Sequence, residues 1–83
     1  MGESEVLDVV RRTTVQVLPE VLAESVTLDG RLSDLGANSI DRMEIVALSM
    51  EELGLVISPT EFAQVKDVRS LVAVLTRHAA GRP

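Results

Sequence analysis

The chain has 83 residues, a net charge of −5 and a pI near 4.7. That length makes a single domain, 1–83, with a small core and no room for a separate substrate domain or a deep catalytic cleft. Cysteine is absent, which excludes disulfides and thiolate metal sites. Trp and Tyr are also absent and Phe62 is the sole aromatic, so the core must be built from Val, Leu, Ile, Ala and Met. An acidic surface with no basic run and no aromatic platform argues against nucleic acid as a partner. It favours partners with basic docking patches. No apolar run approaches the ~18 residues a bilayer span requires. Met1, Gly2, Glu3, Ser4 and Glu5 form an acidic start without a signal-peptide core, so a soluble, cytoplasmic protein away from membranes is expected. Gly2 invites a check for myristoylation, against which the acidic start argues.

Val6, Val9, Val10, Thr13 and Val17 recur at helical spacing, with Leu7 and Leu18 widening the stripe and Arg11 and Arg12 on the other side. The first helix is therefore predicted from about Glu3 to Leu18. Pro19 ends it, because proline lacks an amide proton and disfavours helix in the residue before it. Residues 19 to 37 read as a long irregular loop punctuated by Pro19, Asp29, Gly30 and Gly36, with one short helical turn around Glu20 to Glu24. Leu22, Val26, Leu28, Leu32 and Leu35 are expected to pin this loop to the helices. A loop of that length in so small a domain points to a functional or self-packing segment.

The second helix is predicted from Ser39 to Leu53. Asn38 is its N-cap, its side-chain oxygen accepting a free amide of the first turn. Asp41 and Glu44 complement the positive end of the helix dipole. Gly54 supplies the stop, since glycine tolerates the left-handed conformation. Leu53 to Ile57 reads as a buried connection. Ser58, Pro59, Thr60 and Glu61 have the pattern of a capping box with proline at the first helical position, and predict a short third helix ending by Gln64. Asp67 caps the last helix, whose stripe is Val68, Leu71, Val72, Leu75 and Ala79. Arg77 and His78 near its end suit the negative pole. Residues 1–3 and 80–83 are expected to fray. No period-two alternation persists long enough for a strand. The fold class is all-α: a four-helix bundle of three longer helices and one short third helix, with a long loop between helices one and two.

Helix two carries more apolar residues than one core face needs. Ile45, Val46 and Leu53 make a core face, with Ser49 allowing close approach. Ile40, Met43, Ala47 and Met50 make a second stripe. Either both stripes are buried in a central helix, or the second is an exposed docking surface. Methionine suits such a surface because it is flexible. Asp34, Asp41, Glu44, Glu51 and Glu52 would ring the stripe with negative charge, fitting a partner with an apolar groove and a basic rim.

The stretch Leu32-Ser-Asp-Leu-Gly-Ala-Asn-Ser-Ile-Asp41 resembles the phosphopantetheine attachment motif of acyl carrier proteins. Helix lengths, the long first loop, the short third helix and the acidic second helix extend the likeness over most of the chain. The resemblance implies that Ser39 bears a covalent 4'-phosphopantetheine arm whose thiol holds acyl groups as thioesters. It implies as partners a phosphopantetheinyl transferase and polyketide or fatty-acid biosynthetic enzymes such as an acyltransferase and a ketosynthase. Ile40, Asp41, Arg42, Met43, Glu44, Ala47 and Met50 are then the expected docking residues. The chain departs from the common motif in having Asn38 where Asp usually stands, and Arg42 follows Asp41. The segment from Gly36 to Ile45 is similar to discrete carriers of polyketide β-branching, which deliver the acetyl donor to a hydroxymethylglutaryl-synthase-like enzyme. Acceptor carriers in that process often have a tryptophan in the second helix, and this chain has none. A shuttling carrier is expected to be a monomer. The chain ends suggest a free-standing protein, although a domain excised from a larger synthase would look similar.

Rival readings are weaker. A serine hydrolase using Ser39 and His78 lacks a Gly-x-Ser-x-Gly elbow, a supporting strand and an oxyanion pocket, so no catalytic residue and no enzyme activity is expected. His78 reads as a solvated or dipole-compensating residue. One histidine with no cysteine, and no EF-hand spacing, gives no metal site. The alternative that remains is a small helical protein-interaction adaptor without a prosthetic group, which explains the second apolar stripe equally well.

Overall fold

The computed structural model describes residues 2–80. The elements are α1 (Glu3–Val17), α2 (Ser39–Leu53) and α3 (Val68–Ala80), joined by segments that hold three 3₁₀ turns at Ala23–Ser25, Leu32–Leu35 and Pro59–Phe62. No strand occurs among the described residues. The fold is thus all-helical, as the apolar spacing predicts, with the bounds of α2 matching the expectation at both ends. The expected fraying of Met1 and of residues 81–83 lies outside the described residues, while Gly2 is the N-cap of α1, Glu3 its first residue, and Ala80 closes α3, against the expectation for these three.

The short third helix is a correction. Pro59–Phe62 is one turn of 3₁₀ helix, and Ser58 does not cap it with its side chain. Ser58 Oγ instead meets Thr60 Oγ1 at 2.9 Å. The acidic member of the expected capping box points elsewhere: Glu61 accepts from Arg77 at 3.1 Å and lies 3.3 Å from His78 Nε2 on α3. A capping box stabilises a helix by satisfying its first amides, and a carboxylate drawn to another element cannot do so.

Helix α1 packs against both α2 and α3, whereas α2 and α3 touch each other little. Val6, Val9 and Val10 of α1 are buried, as are Ile45 and Leu53 of α2 and Val68, Leu71, Val72 and Leu75 of α3. The α1–α2 seam includes a polar pair. Thr13 Oγ1 and Ser49 Oγ lie 2.9 Å apart, both fully buried. Thr13 and Thr14 also hydrogen-bond back to the Val10 carbonyl, so neither hydroxyl is left unsatisfied. Arg12 and Glu52 close the same seam at the surface with an ion pair.

The long loop joins α1 to α3. Its carbonyls at Gly30 and Leu28 accept the amides of Val68 and Arg69, both at 2.9 Å. Those are amides that the start of a helix cannot satisfy internally. Asp67 completes the cap by accepting the Ser70 amide at 2.8 Å. Arg11 Nε donates to the Val26 carbonyl at 2.9 Å, and Arg69 meets Asp29 at 2.7 Å. Val26 and Leu32 are buried and Leu28 and Leu35 pack against the core. Leu22, by contrast, is 63% exposed and pins nothing. The connection after α2 also differs from expectation. Leu55 and Ile57 are buried, but Val56 between them is 98% exposed, because an extended segment turns alternate side chains to opposite faces.

Two predictions follow from these contacts. Ser49→Ala should lower stability by about 1 kcal/mol, the net worth of one buried hydrogen bond. Ser49→Leu should cost more, since the close α1–α2 approach leaves no room for added methylenes; chemical denaturation of both variants checks the order. The Glu61 carboxyl titrates below the usual glutamate range, chiefly through its hydrogen bond to His78, with Arg77 adding to the effect. A depressed folded-state pKa means that the unfolded chain binds more protons in acid, so this tie is present above the ordinary glutamate pKa and is lost as pH falls through the lowered value. The Glu61 carboxyl carbon, followed by NMR, should show a midpoint that moves up in His78→Ala.

Candidate functional site

Gly36 adopts the left-handed conformation at φ +96°. A Cβ there would meet nothing within 4 Å, so only the backbone conformation selects glycine. The turn is held by bonds from Gly36 N to the Ser33 carbonyl at 3.1 Å and from Ala37 N to the Leu32 carbonyl at 3.2 Å. It drops Ala37 into the core and leaves Asn38, Ser39 and Ile40 exposed.

Asn38 then caps α2. Its Oδ1 accepts the Asp41 amide at 2.8 Å, and the Asp41 carboxylate accepts the Asn38 amide at 3.1 Å. This reciprocal box is the one the chain forms, three residues on from a polar cap, rather than the one expected at Ser58 and Glu61. It assigns the capping role to Asn38 and leaves the Ser39 hydroxyl with no protein partner among the described residues. The amides of Ser39 and Ile40, at the first turn, have no intrahelical carbonyl to bond. At the other end Gly54, at φ +68°, stops the helix, with Leu55 N bonded to the Met50 carbonyl at 2.9 Å.

An open groove of about 910 Å³ runs from Ser39 between α2 and the segment 55–67. Helices α2 and α3 touch each other little, and the space between α2 and that segment stays open. Ser39, Arg42, Met43, Val46 and Met50 line one wall. Their spacing puts them on one side of the helix, with Ser39 at its head. Leu32, Leu55, Ile57 and Leu71 form an apolar floor, and Pro59 and Phe62 the opposite wall. Arg31 and Lys66 stand on the same groove, as do Glu51 and Asp67.

The two stripes of α2 are separated as follows. Ile45, Ser49 and Leu53 face the core. Ile40 is 73% and Met43 71% exposed, and Ala47 is exposed too, so the reading with both stripes buried is excluded. Val46 was expected in the core face and Met50 in the outer stripe; both are half-buried groove residues packed against the core. Among the outer acidic residues, Asp41 is engaged in the cap and Glu52 with Arg12, while Asp34, Glu44 and Glu51 are exposed. Arg42 donates to the Ala37 carbonyl at 2.9 Å, which holds its side chain beside the Gly36 turn. His78 lies with Glu61 on the far face of the crossing segment and takes no part in the groove. The groove itself was missed from sequence; the one available signal was the excess of apolar residues on α2.

The family model described as a phosphopantetheine attachment site matches residues 8–75. The chain is also 33% identical over 75 residues, 90% of its own length and 92% of the relative's, to the polyketide biosynthesis acyl-carrier-protein AcpK of Bacillus subtilis (strain 168). The chain belongs to the acyl carrier protein family. No solved structure matches it. Acyl carrier proteins bear a covalent 4'-phosphopantetheine and present substrates to enzymes rather than transform them. In this carrier the family match runs from within α1 into α3, so the whole of α2 and the groove-lining residues fall inside it. Asn38→Ala should destabilise the carrier by about 1 kcal/mol, typical of a lost N-cap. Amide exchange should speed up at Asp41 before it does at Ile45.

Proposed function

We propose that this carrier bears its 4'-phosphopantetheine on Ser39 and delivers acyl groups, held as thioesters, to enzymes of polyketide biosynthesis in the cytoplasm. The observation that carries this is the exposed Ser39 hydroxyl, relieved of capping by Asn38 and Asp41 and standing at the head of the groove. The residues around Ser39 fit the group. The hydroxyl is reachable from solvent, the nearby free amides and the helix dipole favour an attached phosphate, and the groove offers an apolar surface beside it. A serine hydroxyl is a weak nucleophile without a base, and the chain places none beside it. The base and Mg²⁺ are supplied by a phosphopantetheinyl transferase.

Partners dock on Ile40, Met43 and Ala47, with Asp41, Arg42 and Glu44 at their edge and Met50 reaching below. Exposure of three apolar side chains in a row on an acidic helix supports this assignment. The carrier acts as a monomer that binds each partner weakly enough to leave. We further propose that it is the acetyl donor to a hydroxymethylglutaryl-synthase-like enzyme of β-branching. Support comes from the resemblance of the segment from Gly36 to Ile45 to such donors and from the polyketide role in the relative's name. The absence of tryptophan from α2 agrees with a donor rather than an acceptor.

Incubation with coenzyme A, Mg²⁺ and a broad-specificity transferase should add the mass of one phosphopantetheinyl group, and Ser39→Ala should abolish the gain. No gain with several transferases would leave the adaptor reading in its place. Met43→Glu or Ala47→Glu should slow acyl transfer while the circular dichroism melt stays within a few degrees of wild type; a collapsed melt would return those residues to the core. Loaded with acetyl, the carrier should turn over with the synthase-like partner faster than an unrelated carrier does, and equal turnover would remove the donor assignment.

A further inference from the structure

Among the described residues, the arginines and the lysine divide into two groups. Arg11 meets Asp8, Arg12 meets Glu52, Arg69 meets Asp29 and Arg77 meets Glu61. Arg31, Arg42 and Lys66 meet no carboxylate among the described residues, and all three line the groove that begins at Ser39. In a chain of net charge −5, cations without a carboxylate partner are the scarce charge, and those among the described residues line one groove. Two carboxylates share the groove. Asp67 is already engaged by the amide and hydroxyl of Ser70, at 2.8 and 2.6 Å. Glu51 lies a full three turns along α2 from Ser39, at the far end of the wall. Arg31, Arg42 and Lys66 thus share with Ser39 a groove that has an apolar floor.

We propose that Arg31, Arg42 and Lys66 form an anion clamp for the phosphodiester of the arm, which seats the start of the arm over the groove instead of leaving it free in solvent. The inference rests on attachment at Ser39. A phosphodiester on the Ser39 oxygen carries one negative charge and sits one helical turn from Arg42, on the same face. Arg42 is held in place by its bond to the Ala37 carbonyl, so less side-chain freedom is lost when it closes on the anion. Its guanidinium has further donors beyond the one that bond uses. Arg31 and Lys66 line the same groove from the long loop and from the crossing segment, so the three cations come from three elements. With its first group held, the rest of the arm lies along Val46, Met50 and the apolar floor. The three cations act as positioning residues, and the acyl carrier waits between partners with its thiol sheltered.

The test uses the full chain loaded with the unacylated arm, in which the phosphodiester is the arm's one anion. Loading is verified by mass first, so failure to load would count against Ser39 attachment and not against the clamp. Because the chain has no cysteine, the arm supplies the sole thiol. Its alkylation by iodoacetamide at low salt should be about threefold or more slower than that of coenzyme A, the scale of a few exposed charge contacts. Added NaCl should erase the difference by screening. The variant Arg31→Gln/Arg42→Gln/Lys66→Gln should alkylate at the rate of coenzyme A, and Arg31→Lys/Arg42→Lys should keep the shelter. Loss of three positive charges near a thiol raises its pKa and by itself slows alkylation, so a faster rate in the triple variant has the opposite sign to that trivial effect. The ³¹P signal of the arm should shift between wild type and the triple variant. Equal alkylation in both proteins at every salt concentration, with an unmoved ³¹P signal, would overturn the clamp. So would a charge effect that appears only when the arm carries a carboxylated acyl group, since the cations would then read the cargo.

Discussion

Asn38 and Asp41 exchange two hydrogen bonds across the first turn of α2, and the place where that turn starts decides what the rest of the chain can present. Gly36 reverses the chain, Ala37 is buried, and the box then starts the helix with Ser39 as its first residue. A cap one residue later would have engaged the Ser39 hydroxyl itself. A helix without this cap would lose its first turn to fraying, and with it the alignment of Ser39, Arg42, Met43 and Val46 along one wall. Asparagine where the family motif commonly has aspartate does the same capping work with a neutral oxygen. The charge at this turn is then carried by Asp41 and Arg42.

The groove follows from an imbalance in packing. Helix α1 is the common support: it buries valines against both other helices, and a fully satisfied threonine–serine pair sets its approach to α2. The other two helices are left apart, and a single extended segment with one 3₁₀ turn crosses between them. That segment is held at its ends by the Gly54 stop and the Asp67 cap, and at its middle by Glu61 reaching α3. A longer, rigid third helix would fill the gap with its own side chains. A 3₁₀ turn instead leaves apolar surface from α2, α3 and the long loop facing an open space. That surface lies on the groove that Ser39 also lines.

The exposed apolar stripe and the groove share α2 but divide its residues. Ile40, Met43 and Ala47 point outward, while Val46 and Met50 turn in, with Met43 and Ala47 on the lip that belongs to both. A partner seated on the outer face therefore touches the edge of the groove. This gives a physical route by which docking could be felt by whatever lies inside it. Asp34, Glu44 and Glu51 are exposed around the outer stripe, while Arg31, Arg42 and Lys66 line the groove, so the two sides of a 15-residue helix differ in charge.

Most of what was legible from the amino-acid order is encoded within a few consecutive residues. Asn38 as cap, Gly54 as stop, Asp67 as the cap of α3, the one-sided stripes of α1 and α3, and the prominence of Ser39 each rest on local backbone chemistry or on a helical period. Those signals act before any packing occurs, and the structure keeps them. Tertiary structure decided everything that depends on which elements meet. Glu61 has the spacing of a capping residue, yet Arg77 and His78 on another helix offer it better partners. Leu22 and Val56 are apolar but lie where no element packs over them, while Met50 lies where one does. The loop carbonyls of Leu28 and Gly30 find the amides of α3 across some 40 residues of chain. The gathering of Arg31, Arg42 and Lys66 joins three segments distant in sequence, and no window along the chain contains it. Local propensity sets where helices begin and end; the sharing of a small core among three of them sets what remains open.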